Sequence, residues 1–339
     1  MLKFYTKLAL AAVGLLIFSC NLQDHVIPTT PIVYVAGYEY TGKNNTAKLW
    51  RNGEAADLMT NSKSIVTSSI AALGGDVHVV GWSGDSTSAG QARYWKNGVL
   101  QPFSGQYLPS VLSKVLLSGS DVYVAGSGGD AGGHYAMYWK NGVPEKLNNA
   151  LGGWARDMAI VDGDVYVTGN ASGGIGELAV AKYWKNGASV ELTSGPEQHF
   201  PNGIAVSGGD VHVVGTMGGK YRTIAKYWKN GVENILSPSS YHSNANDIAV
   251  LGNDVYIVGN VGDSLSHYSA KIWKNGVAAS LPGGVEATGI TIVGNDVYVS
   301  GAGLNGFTSV AKYWKNGVPV ALSNGETNST ATAIFVTAP

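Results

Sequence analysis

The heptapeptide AKYWKNG stands unaltered at 181–187, 225–231 and 311–317, and near-copies occupy 47–53, 92–98, 136–142 and 270–276. Aligned on the tryptophan, the copies fall at Trp50, Trp95, Trp139, Trp184, Trp228, Trp273 and Trp314, spaced by 45, 44, 45, 44, 45 and 41 residues. A period in the forties built from strand-forming residues marks a propeller blade. One period, 246–281, reads NDIAVLGNDVYIVGNVGDSLSHYSAKIWKNGVAASL. DIAVL is a short apolar run, GN a turn, DVYIVG an alternating strand, SAKIW a third strand, KNG a second turn and VAASL a fourth strand. Gly-Asn and Asn-Gly between such runs are hairpin signals, because both residues tolerate positive φ. Four antiparallel strands make one blade.

Seven units predict an all-β, seven-bladed β-propeller over residues 32–339. The first unit opens at IVYVAG (32–37) with no apolar run ahead of it, and the final run, TAIFV (332–336), has no unit of its own. TAIFV matches DIAVL at Ile334 and Val336, so it should supply the inner strand of blade one and close the ring. Closure removes the open sheet edges that a fragment would present. The alternative is a ring of six or eight blades, should the first unit be no blade or the tail pack elsewhere.

A residue required alike in seven blades is a packing residue, so the repeated tryptophans are read as the contact between blades. Each buried indole removes roughly 150–250 Å² from water. At about 25 cal/mol per Å² that is on the order of 4–6 kcal/mol gross. Aspartate recurs at the start of the second strand, at Asp76, Asp121, Asp164, Asp210, Asp254 and Asp296, with Ile32 in blade one. Antiparallel order sets these opposite Lys96, Lys140, Lys185, Lys229, Lys274 and Lys315, which predicts a turn cap with a cross-strand ion pair. Calcium binding at these aspartates is the sharper and less favoured reading.

One face of such a ring carries the near-identical turns, and the other carries loops that differ in every unit. Binding residues usually lie on loops held by a rigid scaffold. Trp82 and Trp154, the two tryptophans outside the repeat, fall on the variable face, as do Tyr107, His199, Phe200, Tyr241 and His242. Residues just before each inner strand should ring the channel mouth: Lys114, Arg156, Asp157, Asn202, Asn246 and Asp247. A polar ring beside exposed aromatic groups suits a neutral or weakly charged polar ligand such as a glycan, although propeller mouths are wet and polar in any case.

The N-terminus carries an address. Lys3 and Lys7 precede an apolar run from Leu8 to Phe18, which is shorter than the roughly 20 residues that span a bilayer. The run ends at Cys20, the only cysteine. Residues 1–20 resemble a bacterial lipoprotein signal, with Cys20 as the lipidation site, although Phe18 departs from the small or polar residue often found there. Residues 21–31 read as a polar, proline-bearing tether. That resemblance implies an exported lipoprotein held to a membrane by its lipid, at the outer membrane or cell surface.

Only 13% of residues are charged and the formal net charge is −1, so there is no basic stripe for nucleic acid. GYEYTGKN (37–44) nearly matches a phosphate loop, but Asn44 replaces the Ser or Thr and a strand follows, not a helix. GAGLNG (301–306) fails for the same reason. No nucleophile elbow, zinc-protease helix or calcium-hand loop is present, so no catalytic residue, metal or cofactor is assigned. The pattern DVYVAG…AKYWKNG…L over about 32–336 resembles kelch repeats and the repeated blades of bacterial secreted HAF-type proteins. It departs from kelch in lacking a double glycine after the second strand. The resemblance implies a propeller, and function does not transfer with the fold. The expectation is therefore a monomeric binding or scaffolding module that holds a glycan or an envelope protein. The alternative is a propeller enzyme, hydrolase or lyase, acting on a polysaccharide or lactone through Asp157, Asp247, His199 or His242.

Overall fold

The computed structural model describes residues 30–338 except 59–63, 86–87, 104–107, 131–132, 148–151, 173–179, 194–196, 219–221, 238–241 and 264–266. Cys20, Tyr107 and Tyr241 lie outside the described residues. The chain forms seven four-stranded antiparallel sheets, each one blade of a β-propeller. From the axis outward, blade one consists of Ser329–Val336, Val33–Tyr40, Asn45–Arg51 and Glu54–Asp57. Blade two follows in chain order with Ser64–Leu73, Asp76–Asp85, Ser88–Lys96 and Val99–Leu100. The inner strands of blades three to seven are Leu108–Ser118, Gly153–Val161, Gln198–Ser207, His242–Leu251 and Gly284–Val293.

Ring closure is as the leftover run predicts. Val33 pairs with Val336 and Val35 with Ile334, so strands from opposite ends of the described chain share one sheet. The seven repeated tryptophans are each at most 1% exposed. Each packs onto the preceding blade: Trp95 clusters with Tyr34 and Ala36 of blade one, and Trp184 with Ala125 and Ala136 of blade three. The core is thus seven apolar layers between blades, not one central cluster.

The turn face explains the recurring Asp, Lys and Asn. In six blades the aspartate holds the lysine across the hairpin at 2.6–2.8 Å. Its other oxygen accepts the Nδ2–H of the turn asparagine, as in Asn186 to Asp164 at 2.8 Å. The asparagine Oδ1 in turn accepts the next backbone N–H, from Val165 at 2.9 Å, and the asparagine itself has φ near +50°. Both carboxylate oxygens therefore serve the hairpin. Blade one, with Ile32 in place of Asp, is tied instead by Thr337, whose Oγ1 accepts the Ile32 N–H at 3.2 Å.

Candidate functional site at the axial channel

Every inner strand carries a β-bulge at the same place. Pairing with the second strand skips Ser68, Ser113, Arg156, Asn202, Asn246, Thr288 and Thr332 in turn. The residue before each bulge lies opposite a glycine: Gly81, Gly126, Gly169, Gly215, Gly259, Gly301 and Gly37. A methyl at any of these glycines would overlap an inner-strand carbonyl oxygen, for example that of Trp154 at Gly169. The glycine ending DVYVAG is therefore the residue that admits the bulge.

The bulge changes the expected strand limits. Lys114, Arg156, Asp157, Asn202, Asn246 and Asp247 lie within the inner strands rather than before them, and so do Trp154, His199, Phe200 and His242. Trp82 likewise lies within a second strand, not a loop. Two successive rings of residues line the axis. The bulged residues form one, and Ser69, Lys114, Asp157, Asp247, Gly289 and Ala333, each following a bulge, form the next. The cavity between them is about 110 Å³. That is well below the roughly 300–1,000 Å³ of ordinary ligand sites, so the channel has room only for water-sized molecules.

Much of this ring is committed to joining blades. Asn202 Nδ2 donates to Ala245 O at 2.9 Å, Asn246 Nδ2 to Ala287 O at 2.8 Å, and Thr288 Oγ1 to Ala331 O at 2.7 Å. Asp157 Oδ2 accepts the Ile204 N–H at 2.9 Å, and Asp247 Oδ2 accepts that of Ile290 at 2.9 Å. Asp247 Oδ1 also takes the Ile248 N–H at 2.8 Å. Lys114 Nζ lies 2.8 Å from Asp157 Oδ1.

The charges shape one another. Burial, reinforced by the charge of Asp157 and opposed by Lys114, raises the Asp247 carboxyl to about 6. Burial would pull the Lys114 ammonium down, but the charges of Asp157 and Asp247 outweigh it and hold it above the usual lysine range. Arg156 is exposed, and among the described residues it makes no hydrogen bond or ion pair. The channel wall around its guanidinium displaces part of the surrounding water and lowers its pKa.

Two positions before the bulge, on their inner strands, stand Trp154, 42% exposed, half-buried Phe200 and exposed Glu286. Neighbouring protein atoms displace part of the water around the Glu286 carboxyl and raise its pKa. Glu286 precedes the bulge of blade seven by the same two positions as Trp154 in blade four; aligning the units on the bulge would have revealed it, along with the serines and threonines of the rings. His199 is apart from this group. It is 6% exposed, faces the Trp228 ring edge-on at 6.1 Å between centroids, and lies 3.8 Å from Glu233 on its own blade's outer strand. Trp82 stands one strand out from the axis on blade two, two blades from Trp154. Among the described residues no cluster of three His, Cys, Asp or Glu side chains could hold a metal ion.

No protein-family model and no curated protein matches the chain. Solved structures do. A puromycin-hydrolysing peptidase from Mycobacterium tuberculosis is similar with a TM-score of 0.53 at 11% identity, over 85% of this chain and 53% of that one. TolB from Acinetobacter baumannii gives 0.46 at 11% identity, over 89% and 66%. An acylaminoacyl peptidase from Pyrococcus horikoshii gives 0.45 at 13%, over 80% and 47%. The chain spans about half the length of the two peptidases. At such identities the first likeness shows a shared fold and carries nothing of that protein's chemistry.

Proposed function

We propose that the protein is a binding module of the bacterial envelope that holds a glycan or another envelope protein at the mouth of its axial channel. The observation that carries this reading is the placement of Arg156, charged and without a hydrogen bond or ion pair among the described residues, two positions along one strand from the exposed Trp154. An aromatic face beside fixed hydrogen-bonding groups is the combination a sugar ring uses. In the enzyme alternative Asp157 or Asp247 would move protons, but their oxygens are engaged by backbone N–H groups and Lys114. This disfavours these two in that role and leaves Glu286 as the one carboxyl of the inner strands named here without such bonds among the described residues.

The anchoring belongs to the same reading: residues 1–20 act as a lipoprotein signal and Cys20 carries the lipid, with a kelch-like ring as the displayed domain. Replacing Cys20 with Ser should release the protein from the membrane fraction or leave it unprocessed; unchanged mass and partitioning would refute lipidation. For the site, a glycan array read with Trp154→Ala and Arg156→Ala should lose its signal while both variants melt like the parent. Retained binding in both variants overturns the site.

A further inference from the structure

Blade two differs from the other six in its outer strand. That strand has two residues, Val99–Leu100, where every other blade has four. In those six blades a leucine N–H donates to an alanine carbonyl of the third strand, as in Leu192 to Ala181 at 2.9 Å and Leu322 to Ala311 at 2.8 Å. The corresponding alanine of blade two is Ala92. Gln101 still donates to Tyr94 O at 2.7 Å, but Pro102 follows, with no N–H and a fixed φ that ends the pairing. Phe103 then turns inward against Tyr94 and Trp139, at 5.9 and 6.1 Å between centroids. Among the described residues nothing donates to the Ala92 carbonyl.

Arg93, next along this edge, lacks a counterpart that three other blades supply. In blades one, four and six the equivalent lysine bonds the outer-strand residue opposite it: Lys48 to Asp57 at 2.7 Å, Lys182 to Glu191 at 3.0 Å, and Lys271 to Ser280 at 2.7 Å. Opposite Arg93 the chain offers Pro102. The guanidinium reaches only Gln91 Oε1, at 2.8 Å, and its Nε is buried without a partner among the described residues. Beside this edge runs a groove of about 640 Å³, walled by Leu100, Phe103, Leu108 and Pro109. Leu108 is 54% exposed. The volume falls within the roughly 300–1,000 Å³ of ligand-sized sites.

We propose that this groove binds an extended peptide segment of a partner protein, which pairs with the third strand of blade two at Ala92 and places a carboxylate side chain on Arg93. Strand addition supplies the missing ladder bonds. The arginine fork selects a carboxylate, and the apolar walls take the neighbouring side chain. The chemistry of the occupant is read from Arg93 and from the two complete blades whose outer strand puts an acid opposite a cation here: an acidic residue followed by an apolar one, as in Asp57–Leu58 and Glu191–Leu192. The site is independent of the channel mouth.

The test is fluorescence anisotropy of the intact protein with a labelled synthetic peptide of sequence GASVELT, which is the protein's own residues 187–193. Saturable binding is expected. It should weaken about tenfold or more when the peptide carries Glu191→Lys, and also when its backbone is N-methylated at alternate residues. Arg93→Glu should reverse the preference between the two peptides, and Trp154→Ala should leave both affinities unchanged. The peptide variants keep the test valid even if the Arg93 variant folds poorly. Absence of saturable binding up to about 1 mM, or indifference to both charge reversals, overturns the proposal. So does a dimer in sedimentation that Arg93→Glu dissociates, which would assign the groove to a second copy of this chain.

Discussion

Asp247 Oδ2 accepts the backbone N–H of Ile290 at 2.9 Å, so one buried carboxylate ties blade six to blade seven across Gly289. Its pKa in the fold is about 6, against 3.8 for an ordinary aspartate. Because the folded value is raised, the stabilising contribution is full below about pH 4 and is lost as pH rises through about 6. At 1.36 kcal/mol per unit of pKa the loss is up to about 3 kcal/mol. Urea titrations from pH 4 to 7 should show the parent losing stability relative to Asp247→Asn across that window. Parallel curves would mean that the carboxyl is not raised.

The turn-face aspartates work in the opposite sense. Asp76, Asp121, Asp164, Asp210, Asp254 and Asp296 are all lowered, first by hydrogen bonds from their lysines and then by those from their asparagines. Their contribution is present above the ordinary value of 3.8 and is lost as pH falls below it. Melting temperature should therefore drop on acidification below about pH 4. Changing all six aspartates to Asn should remove most of that drop.

The bulge depends on glycine through close approach. Gly259→Ala brings a methyl onto the Asn244 carbonyl and should cost about 1–3 kcal/mol, as overpacking does. Equal stability in chemical denaturation would show that the strand can shift away without penalty.

The nine tryptophans should divide into two classes. Trp184→Ala removes an indole with no exposed surface and should cost about 3–5 kcal/mol. Trp154→Ala should cost little, because 42% of that residue is in water. Thermal unfolding of the two variants side by side is sufficient. A comparable loss in Trp154→Ala would make that residue core and remove the proposed site.

Deleting residues 331–339 takes most of the inner strand from blade one. The truncated protein should melt lower and be cut by protease near blade one. An unchanged melting temperature would contradict closure by Ser329–Val336.

The period of the tryptophans and the unpaired TAIFV run made the ring and its closure legible, because both are properties of strand count. The turn-face ion pairs were legible for the same reason, since antiparallel register sets Asp opposite Lys. The inner-strand limits were not. A strand is recognised by alternation, and one extra residue at Arg156 or Asn246 shifts the phase, so the polar stretch before it reads as a loop. The glycine ending DVYVAG was in plain view in all seven units, but its role appears only when Gly169 is set against the Trp154 carbonyl. The ring residues were brought together as expected in Lys114, Arg156, Asp157, Asn202, Asn246 and Asp247. Their use in joining blades depends on side-chain direction, which spacing does not carry.

The strand that closes blade one is the last of the described strands in chain order. Blades two to seven are each built from contiguous chain, but Val33–Tyr40 pairs with Ser329–Val336 across nearly the whole length of the described chain. Until that pairing forms the arc has two raw ends, and its apolar layer between blades one and seven is open to water. Closure of the ring is therefore a single long-range event, separate from the local pairing that builds each of the other blades.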